Sequence, residues 1–411
     1  MNLDFIKGSP LFAKNNRVIN QFNYLTEDID TDVIIVGGGV TGSILGYYFS
    51  KNNIDAVILE KGIVGYGSTS ITTALLQYEL DSTIRDLEEY TSKENAIKSY
   101  KLGAKALDEI DEFIREYGNE CEYVKRDTLF YTSKTSDIKS IEEEYKVRKE
   151  NGFDVEFINE KNNPFSFDLK AGVCGKSGGA ELDPYKYTQE LLKVAVGKGL
   201  RVFENTEVVE VNYEKDGVEV ITKYDHKVRG KIIIVATGYH TEVFTDRNFG
   251  ITSTTFNVAT KPLKSLNGYY DNVLIRDNED PYNYLRTTKD KRIIIGGEDI
   301  GFYPDIENKD KVSEKYDILE QRLKSMFPNI EDIEIEYKYC GAFTSTQDNL
   351  GFIGKDPRND KLWFNLGYGA NGILFAILGG MMLSKLYLGE VDENLKLFNV
   401  GRFDNWKKNS K

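Results

Sequence analysis

Short apolar runs broken by glycine set the rhythm of this chain. After a polar lead of some thirty residues, Asp32 to Val36 (DVIIV) predicts a buried strand that runs straight into the glycine string GGGVTG. The next stretch, SILGYYFSKN, carries Ile44, Leu45, Tyr48 and Phe49 at helical spacing, and Ala56 to Glu60 (AVILE) predicts a second strand. Together these make a βαβ unit of about thirty residues, the usual size of such a unit.

Farther on, Ile97, Tyr100, Ala104, Leu107, Ile110 and Ile114 recur at steps of three and four until Gly118 stops the pattern, which predicts one long amphipathic helix from Glu94 to Tyr117. Between Leu129 and Pro164 the order is strand, charged helix (IKSIEEEYKVRKENG), strand (VEFI). The pattern then returns to α/β. A helix from Tyr185 to Gly197 leads to a strand near Leu200 to Phe203, a hairpin turning at Asp216-Gly217, and the strand Lys231 to Ala236, which ends in ATG. Residues 251–300 predict antiparallel strands, followed by a helix from about Ser313 to Met326.

The order predicts an α/β fold in which the chain leaves a first, Rossmann-like domain for an inserted α+β block with antiparallel strands and then revisits it.

At 411 residues the chain is long enough for two packed domains. Its 53 basic and 66 acidic residues leave a net charge of −13, a field that repels phosphate backbones and anionic lipid, so neither nucleic acid nor membrane is expected as a partner. The longest apolar run, Ile373 to Leu383, is 11 residues where a bilayer needs about 20, and is expected to be a buried helix. Cys121, Cys174 and Cys340 are scattered, with no CxxC, which leaves disulfide, zinc and iron–sulfur sites without ligands and points to a cytoplasmic setting. The N-terminus has the pattern of neither a signal nor a transit peptide.

The chemistry begins at the first strand. Gly37, Gly39 and Gly42 form GxGxxG between a strand and a helix. The first permits a tight turn, the second admits a pyrophosphate to the backbone, and the third lets helix and strand pack closely. Glu60, ending the second strand, can accept hydrogen bonds from both ribose hydroxyls and would repel a 2′-phosphate. These residues leave FAD and NAD both open. A second glycine-rich loop, Gly367-Tyr-Gly-Ala-Asn-Gly372, opens an apolar helix.

With KGIVGYGSTS, ATG at Ala236 to Gly238, and the tail CGAFTSTQDNLGFIG…LGYGANGILFAILGG, the sequence resembles the D-amino-acid oxidase/glycine oxidase superfamily of flavoenzymes over nearly everything after residue 30, in pattern most of all its γ-glutamylputrescine oxidase-like members. The resemblance implies a Rossmann-like FAD-binding domain built from 1–95, 171–245 and 336–411, with an inserted antiparallel-sheet substrate domain, 96–170 and 246–335. It implies FAD held by Gly37, Gly39, Val40, Thr41, Gly42, Glu60 and Lys61. It places Ser68 and Thr69 near the pyrophosphate and ribityl chain, and Val208 at the adenine. Ala236, Thr237, Gly238, Gly341, Gly369, Asn371, Gly372 and Ile373 complete the set, with Gly367 beside them. It also implies non-covalent FAD, because the cysteine that some sarcosine oxidases bond to FAD aligns with Gly341, one position from Cys340. The oxygen-activating lysine of those enzymes has no counterpart in Ile293 to Gly296. GGEDIG at Gly296 to Gly301 is no second GxGxxG, so electrons are expected from an organic substrate rather than NAD(P)H.

A flavin oxidises carbon bearing nitrogen or oxygen, and alcohols also need a base, usually histidine. This chain has only His226, in a polar hairpin, and His240, after ATG, which favours amine oxidation to an imine. Alternation puts Tyr282, Tyr284 and Arg286 on one strand face as a candidate substrate wall, Arg286 anchoring an anionic or carbonyl group. Phe343 and Ala370 stand where glycine oxidases carry arginines, so an amine on an apolar or extended chain is expected, with any carboxylate farther out. The alternatives are a 2-hydroxy acid or polyol oxidoreductase using His240, and an FAD-bound subunit of a larger complex. An oligomer or an electron-acceptor partner is compatible with either kind of reading.

Overall fold

In the computed structural model, which describes residues 6–302 and 309–404, three sheets organise the chain. The six-stranded sheet has the order Phe352–Asp356, Asn359–Leu366, Ile232–Val235, Val33–Val36, Ala56–Leu59, Arg201–Phe203. Its inner strands VIIV, AVIL and IIIV are buried at every position, and all pairings are parallel except the antiparallel edge Phe352–Asp356. Burial is continuous because both faces are covered: Val33, Ile35 and Ile58 pack with the helix residues Ile44, Leu191 and Ile377 on one, and Ile34, Val57 and Ile233 pack with Val208, Val220 and Val228 of a small second sheet on the other. The helix Val40–Lys51 packs against Gly372–Tyr387, the predicted apolar helix, and against Pro184–Gly197. That last helix starts where Asp183 accepts the Lys186 N–H and Pro184 fills the first turn.

A small four-stranded sheet contains the predicted hairpin, Val208–Tyr213 with Val218–Thr222. The third sheet has ten strands. Its path runs Ile6–Gly8, Ile335–Ser345, Ile251–Thr260, Ile293–Gly301, Tyr284–Thr287, Leu274–Asp277, Val124–Thr132, Ala171–Glu181, Leu75–Gln77, with Val155–Asn159 branching off Ala171–Glu181. The predicted long helix is Lys93–Tyr117, capped by Ser92 and ended by Gly118 at φ 104°.

Two details differ from the sequence expectation. Leu274–Asp277 runs parallel to Val124–Thr132, because it joins the 251–301 strands to a strand from the earlier insert. The sheets also cut across the expected bounds: Ile6–Gly8, Leu75–Gln77, Ala171–Glu181 and all of Ile335–Ser345 after its first residue, read as nucleotide-domain segments, hydrogen-bond within the ten-stranded sheet. Apolar runs reveal strands but not partners. No helix among the described residues is long and apolar enough to cross a membrane.

Candidate active site

A cavity of about 420 Å³ runs from the end of the parallel sheet to the face of the ten-stranded one. At the first end the three glycines play separate physical parts. Gly37 sits at φ 109°, left-handed backbone that favours glycine. A Cβ on Gly42 would lie 1.8 Å from the Gly37 carbonyl oxygen, so this residue packs beneath the turn instead of lining the cavity. A Cβ on Gly39 meets only the Thr69 hydroxyl, at 3.1 Å, and its open side is the cleft.

The Thr69 hydroxyl accepts the Val40 N–H at 2.9 Å and joins the two segments expected around a pyrophosphate. Glu60 closes this end. Its carboxylate accepts the Gly38 N–H at 2.6 Å and the Gly62 N–H at 2.7 Å. Burial raises its pKa, while those two donors pull it the other way.

Val40, Thr41, Lys61, Ser68, Val208, Ala236, Thr237 and Gly238 line the same cleft, as do Gly369, Asn371, Gly372 and Ile373 from the second glycine-rich loop. That loop is tightly held. Asn371 donates through Nδ2 to the Gln77 and Glu79 carbonyls at 2.7 and 3.0 Å, and the Gly369 N–H donates to the Thr344 carbonyl at 2.9 Å. Gly341 does not line the cleft, although its register partners Ile6 and Thr255 do. Cys340 is buried in the apolar core with Phe256 and Tyr316, and burial raises its thiol pKa. No cysteine is among the described residues that line the cleft.

At the other end stand Tyr282, Tyr284 and Phe343. The two tyrosine rings lie 5.8 Å apart, and burial pushes both phenols above their usual pKa. The Tyr284 hydroxyl is 3.2 Å from the Thr255 hydroxyl.

Arg286 is a correction to the sequence expectation: it shares the strand face of Tyr284, over the Phe12 ring, but does not line the cleft. It is 2% exposed and is taken up by backbone, donating to the Thr73 carbonyl through Nε and to the Leu182 carbonyl through Nη2 at 2.9 Å. The guanidinium that reaches the cleft is Arg276, one strand over and 3% exposed. Its Nη1 donates to the Leu80 and Asp81 carbonyls at 2.8 and 2.9 Å, and its plane sits 4.6 Å from the Phe130 ring centroid. Nε and Nη2 are buried with no hydrogen-bond partner. These two nitrogens form one edge of the guanidinium, the edge that a carboxylate grips with both oxygens. Among the described residues lining the cleft, Arg276 is the only arginine and Lys61 the only lysine.

His226 lies in the turn of the small sheet, half-buried, where its N–H donates to the Thr222 hydroxyl. His240 lines the cleft on the turn after Gly238, and its carbonyl accepts the Thr237 hydroxyl. No group of three or more metal-ligating side chains occurs among the described residues.

An open glycine, a ribose-ready carboxylate and two loops of clustered glycine suit a dinucleotide with a flavin. Residues 32–386 match the family model for FAD dependent oxidoreductases, and the chain belongs to that family. It is therefore an FAD-dependent oxidoreductase. The chain is similar to glycine oxidase of Bacillus subtilis (strain 168), 25% identical over 90% of this chain and 97% of that one. It is also similar to gamma-glutamylputrescine oxidoreductase of Escherichia coli (strain K12), 22% identical over 93% and 90%. The crystal structure of glycine oxidase from Geobacillus kaustophilus superposes with a TM-score of 0.75 at 18% identity, covering 93% of this chain and all of that one (100%).

Proposed function

We propose that the protein oxidises the C–N bond of an amine whose chain also bears a carboxylate, and that FAD is held without a covalent bond. The observation that carries this reading is the unpartnered Nε and Nη2 edge of Arg276, a residue of the cleft wall beside Tyr282. Asp81 Oδ1 lies 3.8 Å from Nη1, but the two donors of the other edge have no acceptor; burying them unsatisfied costs about 1–3 kcal/mol, which a carboxylate would recover. Phe343 leaves the neighbouring wall without a cation, so the carboxylate is held on the Arg276 side, away from the carbon that reacts. The 22% identical relative is named for a substrate of that kind, an extended amine with a carboxylate.

FAD bound here supplies a two-electron acceptor. The chain's own residues do the rest. Gly37, Gly39 and Thr41 would frame the pyrophosphate, Glu60 would take the ribose, and the loop from Gly367 to Gly372 would hold the ring system. Tyr282, Tyr284 and Phe343 exclude water and present the substrate's reactive carbon, while Arg276 fixes its far end.

Purified protein should carry a flavin spectrum, release the flavin to the supernatant on acid precipitation, and be bleached anaerobically by amines. Bleaching by 2-hydroxy acids alone would overturn the reading.

A further inference from the structure

We propose that Asp299 is the proton acceptor for the substrate nitrogen, converting a bound ammonium group to the free amine from which oxidation can start. This rests on the amine reading above.

The strand Ile293–Gly301 is bulged at this point. Thr254 pairs with Ile300 and Phe256 with Gly297, so the single residue Thr255 stands opposite two, Glu298 and Asp299. Glu298 takes φ 56°, and its carboxylate turns away to Lys315 at 3.0 Å. One extra residue reverses the phase of the side chains. Ile295 and Ile300 both pack on the core behind the sheet, although five residues apart in an unbroken strand they would face opposite ways. The same reversal turns Asp299 toward the cleft, where it lines the wall with Thr255 and Tyr284. A bulge whose consequence is to aim one carboxylate into a cavity needs a use for that carboxylate.

Asp299 Oδ1 is buried and has no hydrogen-bond partner. The acids beside it are occupied: Asp81 accepts the Tyr282 hydroxyl and the Ala370 N–H, and Glu298 accepts from Lys315. The groups that face Asp299 are Asp81 from the segment after Leu75–Gln77, Glu298 on its own strand, Lys315 on the helix Lys309–Met326, the Thr255 hydroxyl, and the phenols of Tyr282 and Tyr284. Burial first, then the charges of Asp81 and Glu298, push its pKa up to about 6 against the Thr255 hydroxyl and Lys315. Such a carboxyl is ionised at neutral pH and holds a proton better than an ordinary aspartate does.

An ammonium nitrogen has no lone pair, so its carbon cannot be oxidised to an imine until a proton leaves. In the proposed step one N–H bond breaks, its electron pair stays on nitrogen, and the proton bonds to a carboxylate oxygen of Asp299. No electrons are exchanged; the two-electron oxidation that follows belongs to the established flavin chemistry.

The test is the limiting rate of anaerobic flavin bleaching at saturating amine from pH 5 to 9, in full-length wild type, Asp299→Asn and Asp299→Glu. Flavin content and Tm are measured alongside to confirm folding. The amine is whichever of putrescine, γ-glutamylputrescine, sarcosine and glycine bleaches wild type fastest. The proposal predicts a wild-type rate that rises through about pH 6. It predicts loss of that limb and a fall of roughly 100-fold or more in Asp299→Asn, with the limb restored at a shifted pH in Asp299→Glu. An unchanged profile in folded, flavin-loaded Asp299→Asn would overturn it, as would a raised KM with the limiting rate intact, which marks a mere ammonium anchor. Failure of every amine to bleach wild type would remove the amine reading itself, and this inference with it.

Discussion

The Tyr282 hydroxyl donates to Asp81 at 2.9 Å, and the second oxygen of Asp81 accepts the Ala370 N–H at 3.0 Å. One carboxylate thereby ties the substrate wall to the glycine-rich loop that opens the last helix. Tyr282→Phe removes one hydrogen bond and keeps the ring, so stability should fall by about 1 kcal/mol. KM for the amine should rise a few-fold with little change in kcat. Thermal unfolding and steady-state kinetics check both; a large loss of kcat at constant KM would mean that the hydroxyl acts on the reacting atoms.

Arg276 should discriminate between substrates. Arg276→Lys keeps the charge and loses the paired edge, whereas Arg276→Met loses both. For an amine bearing a carboxylate, kcat/KM should fall in that order. The Met variant should lose about 1.5–3 kcal/mol, roughly 10- to 150-fold. An amine of the same length without the carboxylate should be affected far less. Equal losses on both substrates would place the role of Arg276 in bracing the Leu80 and Asp81 carbonyls rather than in recognition.

Gly39→Val directs its side chain into the cleft past Thr69. Folded apoprotein is the expected product, read from the flavin-to-protein absorbance ratio and from circular dichroism. A full flavin complement in the folded variant would show that the pyrophosphate does not pass over this residue.

A separate prediction concerns acid stability. Arg247 grips Asp356 through Nε and Nη2, both at 3.0 Å, and binds Asp404 as well. Burial alone would raise the Asp356 carboxyl, but hydrogen bonds from Arg247 and Arg358 outweigh it and hold the pKa at about 2. A depressed carboxyl stabilises the fold above its unfolded pKa of about 4, and that contribution is lost as pH falls from about 4 to 2. Arg247→Met should therefore lower stability by roughly 2 kcal/mol at neutral pH and make the acid limb shallower between pH 4 and 2. Urea unfolding at pH 7 and pH 3 measures both; an identical pH dependence in variant and wild type would assign the depression to Arg358.

Much of the nucleotide end was legible in the chain because each signal there is local. The three glycines answer to turn, approach and packing within six residues, and Glu60 follows at the end of an unbroken apolar strand. The substrate end depends on which strands become neighbours. Strand alternation correctly sets Tyr282 and Tyr284 toward a common space but cannot say that the Thr73 and Leu182 carbonyls would claim Arg286. A signal for Arg276 was present: it is an arginine inside LIRD, a strand buried at every position. Its significance needed the parallel pairing with Val124–Thr132, some 150 residues away. Asp299 was hidden for another reason, since a one-residue bulge reverses the face that periodicity assigns.

The most direct measurement for the whole account is the rate of anaerobic flavin bleaching by glycine, sarcosine, D-alanine, D-proline, putrescine and γ-glutamylputrescine, compared in wild type and Arg276→Met. The account predicts that γ-glutamylputrescine, an extended amine with a distant carboxylate, bleaches wild type faster than the four small amino acids do, and that this advantage disappears in the variant. Faster bleaching by the small amino acids in both proteins would contradict it.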